Sequence, residues 1–331
     1  MIVHVMAFLV IFGLVVYVML DGFDLGTGII FPFVARERRG QMMSSIAPFW
    51  DGNETWLVYA GGLLFAAFPV IYWVTLSALY IPVFLMLFCL VLRGVSFEFR
   101  LKSKTDNDQK RWENMFALGS IGVGFFQGMI LGAAVSGIRV INRHFTGGMM
   151  DFLTPLSLAC GVAVTVAYAI LGASWQMYKM EKAYFNSLYN IFHSLLVAMI
   201  VLFVFAVPVL YFQRPDIVNF VVGHKIRLIA CVVLIVANIG IFHLLLTQKF
   251  KHTILYFGFS IVLFALPLVT VLCALYPFAI PFSHTVHDIA NTPQALKFVT
   301  IVTSVTLPVI LCYTGYVYYI FRGKNTENYY S

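Results

Sequence analysis

The chain has 331 residues, of which 61% are hydrophobic and 11% charged, with a formal net charge of +7 and a mean hydropathy of +0.91. A soluble domain carries about 45–50% apolar and about 25% charged residues, so lipid must solvate most of this surface. The basic residues lie between apolar runs, as in the positive-inside bias of membrane proteins; with no RNA or DNA motif present, nucleic acid is excluded as a partner.

Crossing a ~30 Å hydrocarbon core takes about 20 apolar residues at 1.5 Å each. Nine runs qualify: 3–34, 52–70, 75–99, 112–136, 153–178, 184–211, 225–247, 253–278 and 295–321. The expected fold is an all-α integral membrane protein with nine transmembrane helices in one membrane domain, 1–331. The N-terminus lacks a basic region and a small-residue cleavage site, so it reads as a retained span rather than a signal peptide. No stretch alternates with period two for long enough to make a barrel. The longest loops have about 15 residues, too few for a soluble catalytic unit. Chemistry must therefore sit in the bundle or in a partner.

Lysine and arginine set the orientation. Arg36, Arg38, Arg39, Arg93, Arg100, Lys102, Lys104, Lys110, Arg111, Lys179, Lys182, Lys249, Lys251, Arg322 and Lys324 fall on one side. Only six of the 21 basic residues fall on the other. The split predicts an external N-terminus and a cytoplasmic C-terminus.

Against this scarcity of charge, two stretches stand out. The first is Asp21-Gly22-Phe23-Asp24-Leu25-Gly26. Asp21 and Asp24 share a helix face at i, i+3, and Gly22 and Gly26 permit close approach of a second helix. A carboxylate at the bilayer centre costs roughly 2.5–3.5 kcal/mol on insertion scales. Asp24 lies about 18 Å along the helix from Arg36, in the cytoplasmic half. Two readings stand: a proton relay, or a structural carboxyl paired with Arg93 or with backbone groups.

The second stretch is Ile46-Ala47-Pro48-Phe49-Trp50-Asp51-Gly52-Asn53-Glu54-Thr55-Trp56. It enters the bilayer from the same side. Asp51 and Glu54 are again i, i+3, and they also suit the dipole of a helix N-terminus. Asn53 adds a polar group where lipid would exclude it. Trp50 and Trp56 fit an interfacial aromatic belt. Facing Asp24, this polar string could admit water.

Further on, Arg93 and Arg100 flank Glu98, which predicts structural charge pairing near the cytoplasmic surface. Gly124, Gly128 and Gly132 form a packing face, with Gln127 as a hydrogen-bonding neighbour. The five cysteines lie singly in apolar runs with no C-x-x-C. His193 and His243 fall in spans; His4, His144, His224, His252, His284 and His287 lie at the terminus, in loops or at span edges. No pair has a ligand spacing for haem or metal, so no metal site and no catalytic residue are expected in this chain.

D-G-F-D-L-G at 21–26, S-I-A-P-F-W-D-G-N-E-T-W at 45–56, A-G-G-x-L-F-A-A-F-P at 60–69, R-G-V-S-F-E-F-R at 93–100 and L-P-V-I-L-C-Y-T-G-Y-x-Y at 307–318 together resemble the second subunit of cytochrome bd-type quinol oxidases, including the cyanide-insensitive branch. The resemblance covers nearly the whole chain, and its most specific part is 45–69. It implies two four-helix bundles, 1–136 and 153–278, followed by a ninth helix at 295–321. It also implies a bacterial cytoplasmic (inner) membrane location in the respiratory chain. The expected partner is a larger subunit I, which holds haem b, haem d and the quinol site. A small single-span accessory subunit is a further expected partner. Quinol would be oxidised externally, and dioxygen reduced to water with cytoplasmic protons. Asp51 and Asp24 match the family's proton-pathway acids, with Asp21, Glu54 and Asn53 beside them. Trp56 matches a position near a proposed oxygen access route. Some members hold a structural quinone in this subunit.

Three functions compete on these grounds. One is the oxidase subunit, not catalytic alone. Another is a secondary transporter using buried carboxylates, although transporters show matched interrupted helices in both halves and these acids cluster in the first half only. The third is a structural partner with no proton role.

Overall fold

The computed structural model describes residues 1–324. In chain order the elements are α1 (Ile2–Ile30), α2 (Arg39–Ile46), α3 (Trp50–Ala67), α4 (Pro69–Leu101), α5 (Asp106–Ser136), β1 (Val140–Ile141), β2 (His144–Phe145), α6 (Pro155–Lys179), α7 (Phe185–Gln213), α8 (Pro215–Val222), α9 (Lys225–Thr247), α10 (Ile254–Leu275), β3 (Phe278–Ile280), β4 (His284–Thr285) and α11 (Pro293–Ile320). The two antiparallel pairs, β1–β2 and β3–β4, are short hairpins within loops. They and the helices α2 and α8 were not signalled by the apolar pattern.

Among the described residues, eight helices are long and apolar enough to cross a membrane. They match eight of the nine predicted runs. The remaining run, 52–70, forms α3. This helix has 18 residues, but Asp51, Asn53 and Glu54 in its opening turns keep its hydropathy low.

Local chemistry sets the ends. Pro69, Pro155, Pro215 and Pro293 open helices, where a missing N–H is harmless. Thr154 and Ser157 form a reciprocal capping box at α6, satisfying two free N–H groups. The 33-residue α4 bends at Leu79 (φ −119°, ψ 21°), three residues before Pro82. A proline ring inside a helix clashes with the carbonyl four residues back.

The centre is where α1 and α5 cross α6. A Cβ on Gly26 would overlap the Tyr168 carbonyl, and one on Gly128 the Cys160 carbonyl. Both predicted glycine faces therefore press against the same helix. Phe23 stacks on Trp175 at 4.2 Å between ring centroids, with Phe49, Phe257 and Tyr318 around them. Outward residues of α7 and α9, such as Phe205, Phe212 and Val236, are exposed on this chain taken alone.

Candidate functional site

The polar interior is built on one face of α1. Tyr17, Asp21 and Asp24 recur at i, i+4, i+7, and all three side chains are buried. Burial leaves each in need of a partner, and neighbouring helices supply most of them.

Asp24 is met by α3. Asn53 Nδ2 donates to Asp24 Oδ2 at 2.7 Å and to the Leu20 carbonyl at 3.2 Å. The Tyr318 hydroxyl of α11 donates to Asn53 Oδ1 at 3.1 Å. Asp24 Oδ1 is buried and has no hydrogen-bond partner among the described residues.

Asp21 is met by α4. Arg93 Nη1 donates to Asp21 Oδ1 at 2.6 Å, with both side chains buried. Arg93 Nη2 lies 3.3 Å from Glu54 Oε1, an ion pair outside hydrogen-bond alignment. The guanidinium also sits 5.7 Å from the centre of the Trp50 ring. Of the two acids, Asp21 is thus the one paired with Arg93, while Asp24 takes the amide.

Asp51 is exposed on the first turn of α3, with half-buried Glu54 one turn further in. Trp56 is fully buried against Phe12 and Tyr59, so it is not an interfacial aromatic. Above Asp21, Gln127 Nε2 donates to the Tyr17 hydroxyl and the Tyr168 hydroxyl donates to Gln127 Oε1, both at 2.5 Å. Gln127 is the hydrogen-bonding neighbour expected of it. The sequence signal for Tyr17 is its place four residues before Asp21; Tyr168, on α6, carries none.

The predicted pairing around Glu98 needs correction. Glu98 is exposed and forms no ion pair among the described residues. Arg100 instead binds buried Glu113, Nε at 3.1 Å and Nη2 at 2.9 Å. Positions two apart on a helix point to opposite sides, so Glu98 cannot share Arg100's face. Arg39 and Arg36 also reach Glu113, at 3.0 and 3.4 Å, and Arg36 reaches Asp106 at 2.7 Å. This knot ties the loop after α1 to α4 and α5.

No group of three or more His, Cys, Asp or Glu among the described residues is placed to hold a metal. A cavity of about 470 Å³ opens at the opposite end, between Leu79, Arg139, Phe145, Arg214 and Phe282. No His, Cys or Met lines it, so it offers no axial ligand for a haem. His193 is half-buried on α7 and His243 exposed on α9.

A family model described as cytochrome bd terminal oxidase subunit II matches residues 2–321. The chain belongs to that family. As a bd oxidase subunit II it is a multi-pass inner-membrane protein, part of a respiratory oxidoreductase complex, with a subunit I as its partner. The family implies haems in that partner. Cytochrome bd-I ubiquinol oxidase subunit 2 of Escherichia coli K12 is 27% identical, covering 95% of this chain and 92% of that one. Cytochrome bd ubiquinol oxidase subunit 2 of Bacillus subtilis 168 is 35% identical over 150 residues, 44% of each chain. In the solved bd oxidase of Geobacillus thermodenitrificans, one chain matches with a TM-score of 0.74 over 97% of this chain and 98% of that one, at 11% identity. That structural likeness concerns the fold alone.

Proposed function

We propose that this bd oxidase subunit II braces the haem-bearing subunit I and carries protons from the cytoplasm toward the dioxygen-reducing site, with quinol as the electron donor. Buried Asp24, with one carboxyl oxygen left without a partner, is the observation that carries this reading. Asp21 Oδ2 is likewise without a partner, but Asp21 is held by the Arg93 guanidinium, whereas Asp24 is held by the neutral Asn53 amide; a relay needs an oxygen free to exchange a proton.

Charge balance points the same way. Arg93 meets Asp21 and Glu54, and Asp24 stands one turn of α1 from Asp21 with the neutral Asn53 as its partner. One guanidinium neutralises one carboxylate, and each further buried charge costs several kcal/mol. Protons therefore balance the cluster, and they can be exchanged. Exposed Asp51 serves as the inlet. Glu54 lies a turn further along α3 beside Arg93, which holds Asp21, and Asp24 is reached at Asn53. Asn53 orients Asp24, and Trp56 lines the neighbouring apolar wall, where oxygen would pass.

The same reading includes nine crossings, with α3 as the second. The first bundle is α1, α3, α4 and α5; the other is α6, α7, α9 and α10; α11 is the ninth helix. The N-terminus is external and the C-terminus cytoplasmic. A single-span accessory subunit and surrounding lipid complete the complex. A structural quinone in this subunit rests on the family resemblance. The transporter reading finds no support: the buried acids Asp21, Asp24 and Glu113 all lie in the first half of the chain, whereas transporters show matched interrupted helices in both halves.

The test is Asp24→Asn and Asp51→Asn in the intact complex. Oxygen consumption should fall about tenfold or more, the scale of a lost proton-transfer group, with haem content unchanged. Normal consumption in both variants would remove the proton role and leave the bracing one.

A further inference from the structure

Three segments far apart in sequence meet at the end of α1 remote from Asp24. His4 in the first turn faces His287 of the loop before α11, Nε2 to Nε2 at 2.9 Å. The rings are nearly perpendicular, at 79°. The other nitrogen of His4, Nδ1, is 2.8 Å from the Tyr276 hydroxyl. All of these contacts are exposed.

The loop that carries His287 is braced. Buried Val286 and Ile289 flank it. Val286 N donates to the Pro277 carbonyl at 3.1 Å, and Asn291 N to the Ala67 carbonyl at 2.9 Å. The Asp288 carboxylate is held by the Thr285 amide and hydroxyl at 2.8 and 2.7 Å. Arg143 reaches only the Asp288 carbonyl. The imidazole pair is therefore preorganised from both sides.

Two neutral imidazoles in this arrangement can share only one proton between their facing nitrogens. Two ring nitrogens converging on one point are also the start of a chelate. Zn–N bonds of about 2.0–2.1 Å on tetrahedral axes hold two nitrogens about 3.3 Å apart. Opening the pair by about 0.4 Å would seat such an ion. Tyr276 would then accept from His4 Nδ1–H, the second hydrogen bond that orients a ligating histidine.

We propose that His4 and His287 form a binding site for a divalent first-row cation, zinc or copper, with water completing the coordination and Tyr276 orienting His4. Imidazole suits these ions. Two protein ligands make the site exchangeable rather than permanent. A bound ion fastens α1, which carries Asp21 and Asp24, to the loop leading into α11, which carries Tyr318.

The test uses the intact oxidase complex, washed with chelator and titrated with Cu(II) alone, then with Zn(II) as competitor. One Cu(II) should bind with two nitrogen ligands resolved by electron paramagnetic resonance, and Zn(II) should displace it. His4→Gln and His287→Gln should each weaken binding by about tenfold or more and leave one nitrogen; Tyr276→Phe should weaken it less and keep both, as an outer partner does. Unchanged metal-free oxygen consumption shows that each variant is assembled. A two-nitrogen signal that survives either glutamine substitution would overturn the proposal. So would failure of the wild-type complex to bind either ion.

Discussion

Arg93 and Asp21 lie 72 residues apart in sequence and meet at 2.6 Å with both side chains buried. The pair joins α4 to α1 inside the bundle. Removing one member strands a buried charge, which costs about 3–5 kcal/mol. Arg93→Met should therefore sharply reduce the yield of assembled complex. Asp21→Leu combined with Arg93→Met should restore yield without restoring oxygen consumption. Solubilised haem per cell and oxygen uptake distinguish the two effects.

The α1–α6 crossing gives a steric prediction. At Gly26 and Gly172 an added methyl meets backbone of the opposing helix, which cannot rotate away. Gly26→Ala or Gly172→Ala should prevent stable assembly. Gly258→Ala, where nothing lies within 4 Å, should assemble as wild type. Thermal melting of the purified complex is the measurement.

Glu113 and Glu98 make a contrasting pair. Glu113→Ala should lower stability by about 3 kcal/mol, because three arginines lose a buried counterion. Glu98→Ala should change it by less than about 0.5 kcal/mol, as exposed substitutions do. Equal effects would show that the knot around Glu113 does not matter.

At the opposite end, Arg214 donates to both Asp216 oxygens at 2.8 and 2.6 Å. These bonds hold the Asp216 carboxyl below its ordinary range. A lowered folded-state value stabilises above the unfolded value of about 3.9, and the gain is lost as pH falls through the folded value. The melting difference between wild type and Asp216→Asn should thus stay constant from about pH 8 to about pH 5 and close below about pH 4. A difference that widens on acidification would contradict the sign.

Hydropathy made the crossings legible because lipid contact imposes long apolar runs; Lys225–Thr247 and Pro293–Ile320 lie at or close to their expected bounds, while Asp106–Ser136 begins six residues earlier, in a polar first turn. The acids of α1 were legible because charge is so costly there. Their partners were not. Asp21 and Asp24 share a face, and only the position of α4 decides which of them meets Arg93. Glu113 stands near a loop with no local pattern to mark it, and only the fold brings Arg36, Arg39 and Arg100 to it. His4 and His287, 283 positions apart, carry no local pattern that could announce their meeting.

Tyr318 closes the Asn53 side of the acid cluster from α11. The end of that helix is clasped in turn: Lys179 donates to the carbonyls of Phe321 and Gly323, and Lys324 to that of Met180. During synthesis, then, the cluster stays unsealed until α11 has left the ribosome and docked. A polypeptide cut short before Tyr318 would insert most of its spans and keep the Asn53–Asp24 bond, yet leave Asn53 Oδ1 without its donor.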